Sequence, residues 1–309
     1  MKIFAIVKKV LDELYDEIEL KDESQKDNRI QKEIEAFSSA YRKLGSKERP
    51  NFKYHDPIAQ FAYVYKYVTA HANLVYKILL DKADFYQLFI DTKNKKEIIP
   101  SDQRENRIEI ACLGGGPGSD MLGVVKFLQE KKWRGKLIVA NYDKEDRAWS
   151  RAWSNLWHYA DFGFSVSSNQ VYFDAEIAES RDFKSLRKAT LISMVYFISE
   201  IWHLRADLDL FFKNISQMIQ PGTKVLYLDN NNFLDKPISR EKKEVITLRN
   251  LFRRYFAFLH EEKGSRSLGK LWEEQKEDLG EYLHKFGQDP KLSADVEYLV
   301  LERKGNGLS

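Results

Sequence analysis

Residues 111–121 read ACLGGGPGSDM, with four glycines and a proline filling positions 114–118 directly after the apolar run RIEIACL, 107–113. The run before the glycines has the length and composition of a short buried strand, and SDMLGVVKFLQEKK after them has the spacing of an amphipathic helix. The glycines therefore stand at the carboxyl end of a strand, just before a helix. In a doubly wound sheet that is where ligands bind. Glycine there permits positive φ and lets a ligand come against bare backbone. The helix N-terminus beyond it offers free N–H groups and a partial positive charge. A tight turn alone needs one glycine; four in GGGPG point to a nucleotide-like ligand.

Working outward, the same rhythm repeats. KLIVANYD reads as a second strand and KEDRAWSRAWSNLWHYA as a second helix. NQVYFDA is a third strand, with a short helix in SRDFKSLRKA. TLISMVYFISE is a fourth strand, followed by the helix ADLDLFFKNISQMI, and TKVLYLDN is a fifth. KKEVITLRNLFRRYFAFLHEE begins as a helix, and DVEYLVLERK reads as a closing strand. Such alternation predicts a mostly parallel sheet covered on both faces. Residues 1–100 read instead as helices. Ile3, Val7, Val10, Leu11, Leu14 and Ile18 mark the first, and Ile30, Ile34, Phe37, Tyr41 and Leu44 the second, with Gly45 as its stop. Asp56-Pro57 opens a third with an N-cap and a proline at the first helical position. DFYQLFI, 84–90, fits a helix or a strand. The charged stretch KNKKEIIPSDQREN, 93–106, is the expected boundary. It separates a helical cap or lid, 1–100, from a Rossmann-like domain, 101–309.

Composition narrows the partners. The 309 residues carry 50 Lys+Arg against 47 Asp+Glu, a formal net charge of +3, so strong non-specific nucleic-acid binding is not expected. One cysteine, Cys112, excludes an intramolecular disulfide and fits a reducing, intracellular, cytoplasmic setting. No run approaches the roughly 18 apolar residues of a membrane span.

A phosphate-binding P-loop would need Gly-Lys-Ser/Thr, which is absent. The dinucleotide fingerprint G-x-G-x-x-G fails too: started at Gly114 its last position is Ser119, and started at Gly116 it is Met121. LGGGPGSD instead resembles the first motif of the class I (Rossmann-like) S-adenosylmethionine-dependent methyltransferases, and the order of parts from about 105 to 303 follows that superfamily. The resemblance implies an α/β fold with a mostly parallel seven-stranded sheet, helices on both faces, and S-adenosyl-L-methionine as cofactor. It implies that Gly114, Gly116 and Gly118, with Gly115, pack against the methionine part of the cofactor. It further implies that Asp143 at the end of the second strand holds the two ribose hydroxyls, and that Asp174, with Ala175, meets the adenine amino group after the third. One carboxylate has acceptor oxygens for two adjacent hydroxyls. Asp143 and Asp174 also read as caps of the helices that follow. The superfamily often carries an acid two positions before the first glycine; here Cys112 stands there, and Asp120 is the nearest substitute, or else an ordinary first-turn acid.

The acceptor site of the superfamily lies over the end of strand four. This chain has MVYFISEIWH there, without the Asn/Asp-Pro-Pro-Tyr/Phe of the planar-amine methylases. Tyr196 and Phe197 are expected beside the cofactor and acceptor, and Glu200 and His203 are candidate bases, or a helix-terminal acid and a packed histidine. Tyr63 and Tyr67 are read as acceptor-side residues of a lid, or as packing tyrosines. Asn231, in DNNNF after strand five, is a further acceptor contact or a turn residue. Trp149, Trp153 and Trp157 recur every four residues and are expected to pack one helix face. No metal site is read.

The expected function is methyl transfer to an unidentified acceptor, a small molecule or a protein side chain before RNA. Aminocarboxypropyl transfer on the same fold, and a non-catalytic cofactor-binding sensor or scaffold, stay open; a nicotinamide oxidoreductase is disfavoured by the failed fingerprint. Oligomeric state is not readable.

Overall fold

The computed structural model describes residues 1–44, 52–81, 107–176, 183, 186–241, 244–268 and 271–304. Gly45, the DFYQLFI segment and the 93–106 boundary lie outside them, as does most of SRDFKSLRKA.

The repeated strand–helix units build one sheet. Its strands are β1 (Arg107–Leu113), β2 (Lys136–Asp143), β3 (Ser165–Tyr172), β4 (Leu191–Val195), β5 (Lys224–Asn230), β8 (Phe256–Ser267) and β9 (Ser293–Arg303). They lie in the order β3-β2-β1-β4-β5-β9-β8. The first five run parallel to one another, and β9 pairs antiparallel with both β5 and β8. This is the mostly parallel seven-stranded sheet of the class I methyltransferase-like fold. A separate hairpin joins β6 (Pro237–Glu241) and β7 (Glu244–Thr247).

Helices cover both faces, as period-2 burial of the strands requires. On one face Ile108, Ile110, Leu137, Val139, Leu226 and Val300 meet α1 (Ile3–Asp16), α4 (Thr69–Asp81), α5 (Ser119–Glu130) and α6 (Asp146–Tyr159) in one apolar cluster. On the other, Ala111, Leu113, Ile192, Met194, Val225 and Tyr227 meet α8 (Leu208–Met218) and α9 (Leu248–Tyr255).

The helical N-terminal segment joins the first of these cores directly. α2 spans Glu23–Arg42, and α3 (Pro57–Tyr63) starts as its sequence dictates: the Asp56 side chain accepts from the Ile58 N–H and Pro57 opens the helix. A π-helical turn, Val64–Val68, continues it into α4. Where α4 packs on α5, Gly123 leaves no room for a side chain: a Cβ there would lie 2.6 Å from the Ala72 carbonyl oxygen.

Two segments differ from their sequence reading. The fourth strand stops at Val195, because Tyr196 takes a left-handed backbone (φ 56) and Phe197–Glu200 form a short helix, α7. KKEVITLRNLFRRYFAFLHEE does not begin as a helix: Glu244–Thr247 is β7, only Leu248–Tyr255 is helical, capped by Thr247, and Phe256 onward is β8. Pairing of Glu244–Thr247 with β6 overrides the helical reading of its start, and β8 pairs with β9 along its length.

Candidate functional site

The glycine loop lies at the carboxyl edge of the sheet and is held by the last three residues of β2. The Gly114 N–H donates to the Tyr142 carbonyl at 2.7 Å. The Gly116 N–H donates to Asp143 Oδ2 at 2.9 Å, and the buried Asn141 Nδ2 donates to the Gly116 carbonyl at 2.9 Å. Gly114, Gly116 and Gly118 all have positive φ (64°, 50° and 103°), which is why the turn needs glycine at those places. Gly115 is glycine for a different reason: a Cβ there would lie 2.0 Å from Asn141 Oδ1 and 2.8 Å from Cys112 Cβ.

A cavity of about 360 Å³ opens at this edge. Its sheet side is formed by Gly114, Gly116, Tyr142, Asp143, Phe173 and Asp174. Asp143 is half-buried, and desolvation lifts its carboxyl to about 6 although it accepts two backbone N–H bonds, from Glu145 to Oδ1 (2.8 Å) and from Gly116 to Oδ2. Each oxygen retains a second lone pair. Asp174 Oδ1 accepts from the Glu176 N–H at 3.0 Å, and Oδ2 meets Lys144 Nζ at 2.7 Å across the β2 and β3 ends. At the rim, His203 Nε2 and Glu176 Oε1 are 3.0 Å apart.

The opposite wall is aromatic. Phe52, Tyr54 and Tyr63, from the segment around α3, stand with Trp149 of α6. Ring centroids are 4.7 Å apart for Tyr54–Trp149, 5.0 Å for Tyr63–Trp149 and 6.0 Å for the edge-on Tyr54–Tyr63 pair. Beside them Glu200, on α7, accepts at Oε1 from the Tyr41 hydroxyl at 3.0 Å. Burial, reinforced by the charge of Glu200, pushes the Tyr41, Tyr54 and Tyr63 phenols well above their ordinary value, so they remain neutral donors.

Of the residues singled out in the sequence, Gly114, Gly116, Asp143, Asp174, Ala175, Tyr63, Phe197, Glu200 and His203 line this one cavity. Six others do not. Gly115 and Gly118 face protein, the second against the Trp153 ring. Asp120 lies behind the loop, buried, its Oδ2 accepting from the Ser193 hydroxyl of β4 at 2.5 Å. Burial raises its carboxyl to about 7. Tyr196 stacks on His71 at 4.5 Å between ring centroids, and Tyr67 is buried beside it. Asn231 bonds Asp295. Trp149, read as packing, is also a cavity wall. Lys144, Glu145 and Glu176 were missed, although their position just after the strand-end acids placed them at the same edge. Phe52 carried no local signal.

Among the described residues no group of three or more His, Cys, Asp or Glu is arranged to hold a metal, and no helix is long and apolar enough to cross a membrane. No protein-family model matches the chain, and no curated protein matches it in sequence. Solved structures do resemble it. A Listeria monocytogenes protein described as a class I S-adenosylmethionine-dependent methyltransferase is 12% identical over 99% of this chain and 90% of its own, with a TM-score of 0.43. The DszA carbon methyltransferase is 14% identical over 91% of this chain and 67% of its own (TM-score 0.45). TehB from Haemophilus influenzae is 11% identical over 72% of this chain (TM-score 0.34), and this chain spans 66% of TehB. Strand order and register, rather than these distant likenesses, carry the fold assignment.

Proposed function

We propose that this chain binds S-adenosylmethionine in the cavity at the carboxyl edge of β1–β3 and transfers its methyl group to an acceptor held on the aromatic side. The observation that carries the proposal is the convergence on one cavity of the glycine loop after β1, the acid after β2 and the acid after β3.

The residues fit the cofactor. Asp143 has acceptor capacity left on both oxygens, as an adjacent pair of hydroxyls requires. Asp174 is the acceptor further along the same edge, and Phe173 and Tyr142 give flat apolar surface beside it. Gly116 leaves room for close approach, since a Cβ there would meet nothing nearer than Trp149 at 3.7 Å. The cavity volume suits a small cofactor.

Bound there, S-adenosylmethionine supplies an electrophilic methyl carbon on a sulfonium. The protein's part is then to align the acceptor, exclude water and remove a proton where the acceptor carries one. Phe52, Tyr54, Tyr63 and Trp149 shield the cavity from water. Glu200, held at Oε1 by Tyr41, and His203, held by Glu176, are the proton acceptors on the β4 side.

Product analysis tests this reading. Incubation of the protein with S-adenosylmethionine and candidate acceptors should release S-adenosylhomocysteine. Release of methylthioadenosine would instead mean aminocarboxypropyl transfer, and tight binding without turnover on any acceptor would leave a sensor.

A further inference from the structure

The cavity carries information about the acceptor as well. Its lining includes five carboxylates, Asp143, Glu145, Asp174, Glu176 and Glu200, against Lys144 and His203. Lys144 pairs with Asp174 at 2.7 Å, His203 lies 3.0 Å from Glu176 and His55 lies 3.4 Å from Glu145, so these three carboxylates are already matched and the one beside the rings is Glu200. The aromatic half adds the Tyr54, Tyr63 and Trp149 rings, mutually within 6.0 Å, next to Glu200. Ring faces with a carboxylate beside them attract a desolvated organic cation; neither attracts an anion. A phosphate-bearing or carboxylate acceptor would meet repulsion from both walls, and a neutral alcohol would gain nothing from the carboxylate.

We infer that the acceptor is an alkylamine, bound as its ammonium against the wall formed by the packed Tyr54, Tyr63 and Trp149 rings and beside the Glu200 carboxylate; this rests on the methyl-transfer reading above. The ammonium gives one proton to Glu200. The freed nitrogen lone pair forms an N–C bond to the methyl carbon while the S–C bonding pair passes to sulfur, leaving a thioether and a methylated ammonium. Glu200 then returns its proton to water. Tyr41 holds Oε1 of Glu200, which fixes the carboxylate relative to the rings. The absence of the Pro-Pro motif at MVYFISEIWH agrees with an alkylamine rather than a planar amino group.

The test is a titration of the full chain, by calorimetry and Trp149-dependent fluorescence, with choline and its uncharged isostere 3,3-dimethylbutan-1-ol. Both are titrated with and without saturating S-adenosylhomocysteine. Choline should bind at least about tenfold more tightly than the isostere, in line with a desolvated cation–π site. It should do so while S-adenosylhomocysteine remains bound. Glu200→Gln and Tyr63→Leu, checked for folding by thermal unfolding, should each weaken choline about tenfold and leave S-adenosylhomocysteine affinity within about twofold, since both stand with the aromatic side of the cavity. Equal binding of the two probes, or choline displacing S-adenosylhomocysteine, would overturn the inference. So would salt-sensitive binding of a short RNA with no choline binding. If S-adenosylhomocysteine binds and choline does not, the inference fails and the methyl-transfer reading stands. If choline binds and S-adenosylhomocysteine does not, the cation site stands and the methyl-transfer reading fails.

Discussion

Asp143 is the residue on which most depends, because it ties the glycine loop to β2 and faces the cavity with the same carboxylate. Burial raises its pKa from 3.8 to about 6, so its ionised form is disfavoured in the fold. The sign follows: its contribution to stability is present in full below pH 3.8 and is lost as the pH rises through about 6. Ligand binding runs the other way, since the ionised carboxyl offers more acceptor positions to two hydroxyls. S-adenosylhomocysteine affinity should fall by about tenfold between pH 7 and pH 5, where the group becomes largely protonated, and Asp143→Asn should flatten that dependence. Calorimetry at the two pH values checks it; a pH-independent affinity in the native chain would argue that Asp143 is not the contact. Neighbouring glycines separate packing from strain. Gly115→Ala forces a methyl onto Asn141 and Cys112 and should cost about 1–3 kcal/mol of stability, read by denaturant unfolding. Gly116→Ala meets no close atom and should cost only the left-handed strain, about 1–2 kcal/mol, while its methyl enters the cavity and weakens cofactor binding more than stability.

At the scale of elements, the strands and helices from β1 to β5 were legible because each is local: an apolar run, a turn and a periodic stripe. The glycine loop and the acids after β2 and β3 were legible for the same reason, since topology alone brings strand ends to one edge. Other features depended on partners distant in sequence. The stretch from Glu244 reads as the start of a helix, whereas Glu244–Thr247 pairs with β6 and Phe256–Ser267 pairs with β9. Asp120 reads as a loop-edge acid, but the first turn of α5 directs it under the loop to Ser193. The aromatic wall draws Phe52, Tyr54 and Tyr63 from before and within α3, Trp149 from α6 and Glu200 from α7, and no spacing rule joins them. The crossing of α4 and α5 links that wall to the loop. Gly123→Val would drive side-chain carbons into the Ala72 carbonyl and Val75. It should lower the midpoint of thermal unfolding by several degrees, as overpacking of about 1–3 kcal/mol implies, and weaken cofactor binding by displacing α4, which is continuous with α3. An unchanged midpoint would show that the crossing is not tight.

At the scale of the molecule, two apolar cores sandwich the sheet, and the first of them is completed by α1, α2, α3 and α4. Ile3, Phe4, Val7, Leu11, Phe61 and Val75 are buried in it, each removing roughly 1.5–3 kcal/mol of apolar surface free energy from water. A chain starting at residue 101 should therefore expose the apolar surfaces of α5 and α6 that α4 and α1 cover, lose cooperative thermal unfolding and bind a hydrophobic dye; a soluble, cooperatively unfolding fragment would show instead that the helical segment is an appended lid. Between this segment and the sheet edge lies the cavity proposed as the cofactor site. Calorimetric titration of the native chain and Asp143→Ala with S-adenosylmethionine, S-adenosylhomocysteine and NADH tests that proposal most directly. Both adenosyl ligands should bind the native chain at one site, Asp143→Ala should weaken them at least about tenfold through loss of a charged hydrogen-bond acceptor, and NADH should not bind. Folded protein that binds neither adenosyl ligand, or that binds NADH in their place, would contradict it.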